Sequence, residues 1–150
     1  MAAINAKYAA ARGDEGPIRY RKIALKVRKL TALFRLADFC IVSSLHDGMN
    51  LVAKEFVASR EDGDGVLVLS ELAGAAQELR DAVIINPYDI DGFALRLGEA
   101  IDMPKAERRK RMQNMRRVVA GRDVFAWASD ILEGLENDGK RRFLPWGRRR

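Results

Sequence analysis

Asp47-Gly48-Met49-Asn50-Leu51-Val52-Ala53-Lys54-Glu55 is the stretch on which the reading of this chain turns. Upstream of it, Phe39-Cys40-Ile41-Val42-Ser43-Ser44 is an apolar, β-leaning run with the character of a buried parallel strand. Downstream, Leu51, Val52, Phe56 and Val57 recur at helical spacing, so a helix is predicted to begin near Asn50. Between the two lies a short loop with one glycine, where backbone can approach a ligand because no Cβ intervenes. The first amides of a helix lack intrahelical partners and its dipole favours negative charge there. A strand end, a Gly turn and a helix start therefore form an anion site, suited to phosphate or diphosphate.

Glu55 follows Leu51 by four residues and Val52 by three, which puts its carboxylate on their helical face. One turn past a diphosphate, such a carboxylate can accept hydrogen bonds from ribose hydroxyls. Asp47, on the loop, can do the same for a sugar on the other side of the phosphates. The constellation suits a sugar nucleotide better than bare phosphate. The bland reading is that Asp47 and Asn50 cap a helix, Gly48 makes a turn and Glu55 is a solvated charge. Spacing leaves both readings open.

The longer run Ala37-Asp38-Phe39-Cys40-Ile41-Val42-Ser43-Ser44-Leu45-His46-Asp47-Gly48-Met49-Asn50-Leu51-Val52-Ala53-Lys54-Glu55-Phe56-Val57 resembles the signature of the trehalose-6-phosphate synthases. These are retaining glycosyltransferases with two Rossmann-like halves facing a cleft. Three further blocks agree in order: Val66-Leu67-Val68-Leu69-Ser70, Ala73-Gly74-Ala75-Ala76-Gln77-Glu78-Leu79 and Asn86-Pro87-Tyr88-Asp89. The similarity spans Ile4 to Glu136, and glucosylglycerol-phosphate synthases share most of the blocks. The resemblance implies that Asp47 holds a glucose hydroxyl and that Gly48, Met49 and Asn50 line the donor sugar. It implies that the amides of Leu51 and Val52 hold the diphosphate and that Glu55 holds the ribose. UDP-glucose is then the donor substrate and glucose 6-phosphate the acceptor, with no cofactor and no metal, because fixed donors stabilise the departing UDP. No residue here receives a catalytic role. The lone histidine, His46, stands where the family commonly has arginine and is expected at the surface.

Ile4-Asn5-Ala6-Lys7-Tyr8 is similar to the family's Ile-Asn-Gly-Lys/Arg-Tyr/Phe segment, with alanine in place of glycine. That segment lies inside the family's C-terminal half. The acceptor-binding half and the opening of the donor-binding half are therefore expected to be missing. The isolated chain is expected to turn over no substrate, since holding donor and acceptor together is worth roughly 7–11 kcal/mol.

The chain has 150 residues, 48% hydrophobic and 32% charged, which places it among globular domains with room for a core. No apolar run approaches a membrane span and no signal-peptide segment is apparent, so a cytoplasmic location is expected. The single cysteine, Cys40, falls in the apolar strand run and is expected to be a packing residue. The formal charge of +6 raises the question of nucleic acid, but residues 140–150 carry six basic side chains and no acid. The remainder is neutral, with 21 basic and 21 acidic residues, so the excess belongs to a tail.

In order, residues 1–16 read as a lead-in or loop, and Gly16-Pro17-Ile18-Arg19-Tyr20 as a turn into a short strand near 18–20. A helix with a basic outer face is expected from Lys22 to Leu36. Glu61-Asp62-Gly63-Asp64-Gly65 is a solvated connector whose glycines break any calcium-loop pattern. Val66–Leu69 and Ala82–Ile85 read as buried strands, and the small residues from Ser70 to Ala76 permit close backbone approach. Pro87 ends the last strand and Asp89 caps a helix carrying Phe93, Leu95, Leu97 and Ile101. Pro104 opens a basic helix with Met112, Met115 and Val119 inward, and Val124–Leu135 forms a closing helix.

The expected architecture is α/β, a partial Rossmann-like C-terminal half with a parallel sheet flanked by helices. Residues 17–136 form the sugar-nucleotide-binding domain and residues 137–150 a basic, disordered tail. The rival reading is a non-catalytic fragment or subunit that pairs, through its closing helix, with a separately encoded N-terminal half or a second copy. Nucleic-acid binding by the tail is a third reading, and it predicts affinity that collapses with salt.

Overall fold

A computed structural model of the chain describes residues 2–9, 16–122, 129 and 132–135. It divides into two units, Met1–Leu30 and Thr31–Arg150. In the first, residues expected as a lead-in form helix α1 (Ala2–Ala9), which has four alanines, the best helix former, among its eight residues. The strand expected near 18–20 is not formed. Both backbone groups of Ile18 are taken by one side chain: Asn5 Nδ2 donates to its carbonyl at 2.8 Å and Asn5 Oδ1 accepts from its amide at 2.9 Å. Helix α2 (Val27–Leu36) starts five residues later than expected. Extending it would stack Lys22 and Lys26 as like charges one turn apart.

The second unit holds the sheet, with strands β1 (Phe39–Val42), β2 (Val66–Ser70) and β3 (Val83–Ile85) in the order β1-β2-β3. Both pairings are parallel, with Phe39 opposite Val66 and Val68 opposite Val83. Helix α3 (Leu51–Ser59) connects β1 to β2, the 3-10 helix α4 (Gly74–Gln77) lies between β2 and β3, and α5 (Ile90–Ile101) and α6 (Lys105–Gly121) follow. Every residue of β2 is buried, because successive side chains enter opposite layers. Leu67 and Leu69 pack with Phe56 and Val57 of α3 and Met112 and Met115 of α6. Val66 and Val68 pack with Phe93, Leu97 and Ala100 of α5. This is a parallel sheet flanked by helices.

The predicted punctuation is present. Asp89 Oδ1 accepts from the Gly92 amide at 2.9 Å, capping α5, and Pro104 stands immediately before α6. Cys40 is partly buried against the α3 layer, and burial pushes its thiol up to about 11. The expected closing helix over 124–135 lies largely outside the described residues, of which 132–135 are helical, and the basic tail lies wholly outside them. No helix among the described residues is long and apolar enough to cross a membrane.

Candidate functional site

The loops leaving the carboxyl ends of β1 and β2 are fastened to each other. Ser70 Oγ, at the end of β2, donates to the Ser44 carbonyl at 2.7 Å and accepts from the Leu72 amide at 3.1 Å. The Asp47 amide donates to Leu72 O at 3.3 Å, and Asp47 forms a parallel bridge with Ala73. The amides of Gly74 and Ala75, at the start of α4, donate to Asp47 O and Met49 O, each at 2.8 Å. The backbone of residues 47–49 is thereby held to the start of α4. The approach is so close that a Cβ on Gly74 would lie 2.1 Å from Gly48 O. At Gly48 itself a Cβ would meet nothing within 4 Å. The glycine that close approach demands inside the fold is therefore Gly74, not Gly48.

Within the loop, Asp47 and Asn50 organise the start of α3. Asp47 Oδ1 accepts from the amides of Met49 (3.1 Å) and Asn50 (2.9 Å), and Oδ2 accepts from Asn50 Nδ2 (2.9 Å). Asn50 is buried and left-handed at φ 67°, a conformation asparagine tolerates better than most residues. Its Oδ1 accepts from the Ala53 amide at 2.9 Å, which caps the helix. The capping reading of Asp47 and Asn50 is thus realised. It does not exhaust the carboxylate, because each oxygen retains lone-pair capacity.

The amides of Leu51 and Val52, first in α3, donate to no acceptor among the described residues, and the two residues are 59% and 47% exposed. They are orphan donors of a helix N-terminus, reinforced by its dipole. Glu55 is exposed one turn along, and its carboxylate meets no partner among the described residues. His46 is exposed, as expected. No cluster of metal-ligating side chains occurs among the described residues. A hollow of about 450 Å³ lined by β3, α5 and α6 includes none of residues 43–55, and its Arg96–Glu99 and Arg111–Glu107 charges are paired.

The hydrogen bond from the Asn50 side chain, followed by that from the Met49 amide, holds the Asp47 carboxyl below its ordinary value against the opposing effect of desolvation. Its favourable contribution is therefore fully present above the unfolded value, about 3.9, and is lost as pH falls through the lower folded value. An NMR titration is expected to place the Asp47 midpoint below that of an unstructured aspartate. Asn50→Ala should move the midpoint back up. An unshifted midpoint in the parent would mean that the loop is not held as described.

Sequence reasoning passed over two residues that hold α3, one at its head beside the site and one at its far end. Lys54 Nζ lies 2.9 and 3.1 Å from the two carboxylate oxygens of Glu78. Arg60, 5% exposed, ties the end of α3 to the end of α2 by donating to the carbonyls of Phe34, Arg35 and Ala37. Charged residues on a helix read from spacing as solvated, and nothing local reveals partners more than 20 residues away.

A family model described as glycosyltransferase family 20 matches residues 1–137. The trehalose-6-phosphate synthase of Mycobacterium avium is 47% identical over 140 residues, which are 92% of this chain and 28% of that protein. A solved E. coli structure, described as trehalose-6-phosphate bound with UDP-2-fluoro glucose, superposes with a TM-score of 0.80 at 42% identity over 89% of this chain and 29% of its own. The alpha,alpha-trehalose-phosphate synthase (UDP-forming) of Burkholderia xenovorans, in complex with glucose-6-phosphate, gives 0.74 at 47% identity, covering 81% of this chain and 27% of its own. The chain thus spans less than a third of the length of these relatives.

Proposed function

The chain belongs to glycosyltransferase family 20, and on that premise we propose that it is the donor-binding part of an enzyme that transfers glucose from UDP-glucose to glucose 6-phosphate with retention. One observation carries the reading: the unpartnered amides of Leu51 and Val52 stand at a helix start, beside a loop locked by Asp47, Asn50 and Gly74. In a binding pose these amides donate to the diphosphate oxygens and the Glu55 carboxylate accepts from the ribose hydroxyls. Gly48, Met49 and the remaining capacity of Asp47 and Asn50 face the glucose. The similarity to a structure with UDP-2-fluoro glucose bound supports this assignment. The fixed amides lower the cost of charge building on the departing UDP, and no dipole has to reorient as it builds.

A GT-B arrangement, in which a second half brings the acceptor, fits the fraction of its relatives that this chain spans. On this reading the acceptor is held by a second half that lies outside these 150 residues, and a cytoplasmic location accompanies it. The chain by itself then binds donor without turning it over.

Calorimetric titration with UDP and with UDP-glucose tests the reading. The parent is expected to bind both. Glu55→Ala should weaken UDP roughly tenfold, the cost of losing a hydrogen bond to a charged group, without lowering the melting temperature, because its side chain is exposed. A parent that takes up neither ligand would reduce the family membership to ancestry.

A further inference from the structure

We infer that the Lys54–Glu78 ion pair is a positioning device for the donor site: it sets the α3 amides of Leu51 and Val52 against the 47–49 loop. The inference rests on the donor-binding reading above and adds to it two residues outside the binding contacts. Lys54 lies in the first turn of α3, one residue before Glu55, and Glu78 immediately follows α4. At its other end α4 is fixed to the loop, through the amides of Gly74 and Ala75 on Asp47 O and Met49 O. The loop, α4 and the head of α3 therefore form a closed triangle, and the Lys54–Glu78 contact is its third side.

The geometry is that of a pair built to hold. Lys54 Nζ reaches both carboxylate oxygens, and the two side chains are only 17% and 23% exposed, so solvent screens them less than it screens the surface pairs of α5 and α6. Arg122 approaches Glu78 more loosely, at 3.9 Å. The ammonium is already committed to Glu78, which distinguishes Lys54 from a free phosphate ligand. Its effect on an anion at the helix start is exerted through the placement of the amides.

The test is UDP titration by calorimetry on the 150-residue chain, with a thermal melt for each variant. Lys54→Met and Glu78→Gln are each expected to raise the Kd about tenfold, and the double variant no further than either single, as for two groups acting as one unit. Lys54→Arg keeps charge and reach, and should bind within about twofold of the parent. Should Lys54→Met melt below the titration temperature, Lys54→Gln takes its place. Single variants that are folded and bind at parental affinity overturn the inference and leave the donor site standing. A loss in Lys54→Met with none in Glu78→Gln overturns it too, because the lysine would then be touching phosphate directly. If the folded parent binds no UDP, the donor-binding reading falls first and takes this one with it.

Discussion

Gly74→Ala is expected to weaken UDP binding by roughly ten- to a hundredfold, the worth of losing a charge-assisted hydrogen bond from a displaced amide. The added Cβ would sit 2.1 Å from Gly48 O and 2.8 Å from Gly48 C, both of them backbone atoms with no rotamer to yield. Either the loop or the start of α4 must move. Moving the loop breaks the paired bonds from Gly74 and Ala75 and carries Met49 and Asn50 with it. Asn50 caps α3 through the Ala53 amide, so the helix start follows. The stability cost of such overpacking is about 1–3 kcal/mol, or roughly 2–12 °C in a domain of this size. Calorimetry and a melt on the same sample separate the two effects. An unchanged Kd would show that the loop backbone can shift without disturbing the donor amides.

Gly48→Ala sets the contrast. Sequence spacing singles out Gly48 because it lies in the loop itself, whereas Gly74 is only one small residue among several. Which glycine faces backbone depends on how two crossover loops meet, and no local pattern encodes that meeting. The strands were legible because a parallel strand buried on both faces must be apolar throughout, as Val66–Leu69 is. The start of α3 was legible because Asn50 is a capping residue before an apolar helical period. Near Ile18 the same reasoning failed. A β-favouring run became irregular because Asn5, 13 residues away, satisfies both backbone groups of Ile18 in place of a ladder. Asp47 and Glu55 could be placed on a loop and a helix face from spacing alone. Their assignment to a sugar and a ribose came from the resemblance, which is information about ancestry and not about spacing.

Arg60→Met is expected to produce the converse of Gly74→Ala: a large loss of stability with donor affinity intact. Arg60 Nη1 donates to the carbonyls of Phe34 (3.0 Å), Arg35 (3.0 Å) and Ala37 (2.6 Å), satisfying the orphan acceptors at the end of α2. Its Nε donates to Asp64 O at 2.6 Å and its Nη2 to Asp62 at 2.9 Å, which shapes the turn before β2. The guanidinium also lies 5.9 Å from the ring centroid of Phe56, a fully buried residue of α3 that packs edge-on against Phe34. Methionine fills much of the volume but donates nothing, so several carbonyls lose their partner at once. A cost of roughly 3–5 kcal/mol follows for leaving several partly buried carbonyls without a donor, at about 1–3 kcal/mol each, or about 6–20 °C. Lysine should not restore it, because one ammonium cannot reproduce a planar fork that serves carbonyls on two sides. The donor amides lie at the other end of α3 and are fixed by contacts that do not include Arg60. The Kd for UDP, corrected for the folded fraction, should therefore match the parent. A variant that melts like the parent would mean that water replaces the guanidinium at those carbonyls. One that stays folded but loses UDP would mean that the head of α3 is positioned from its far end, and that the triangle of loop, α4 and Lys54–Glu78 does not set the site.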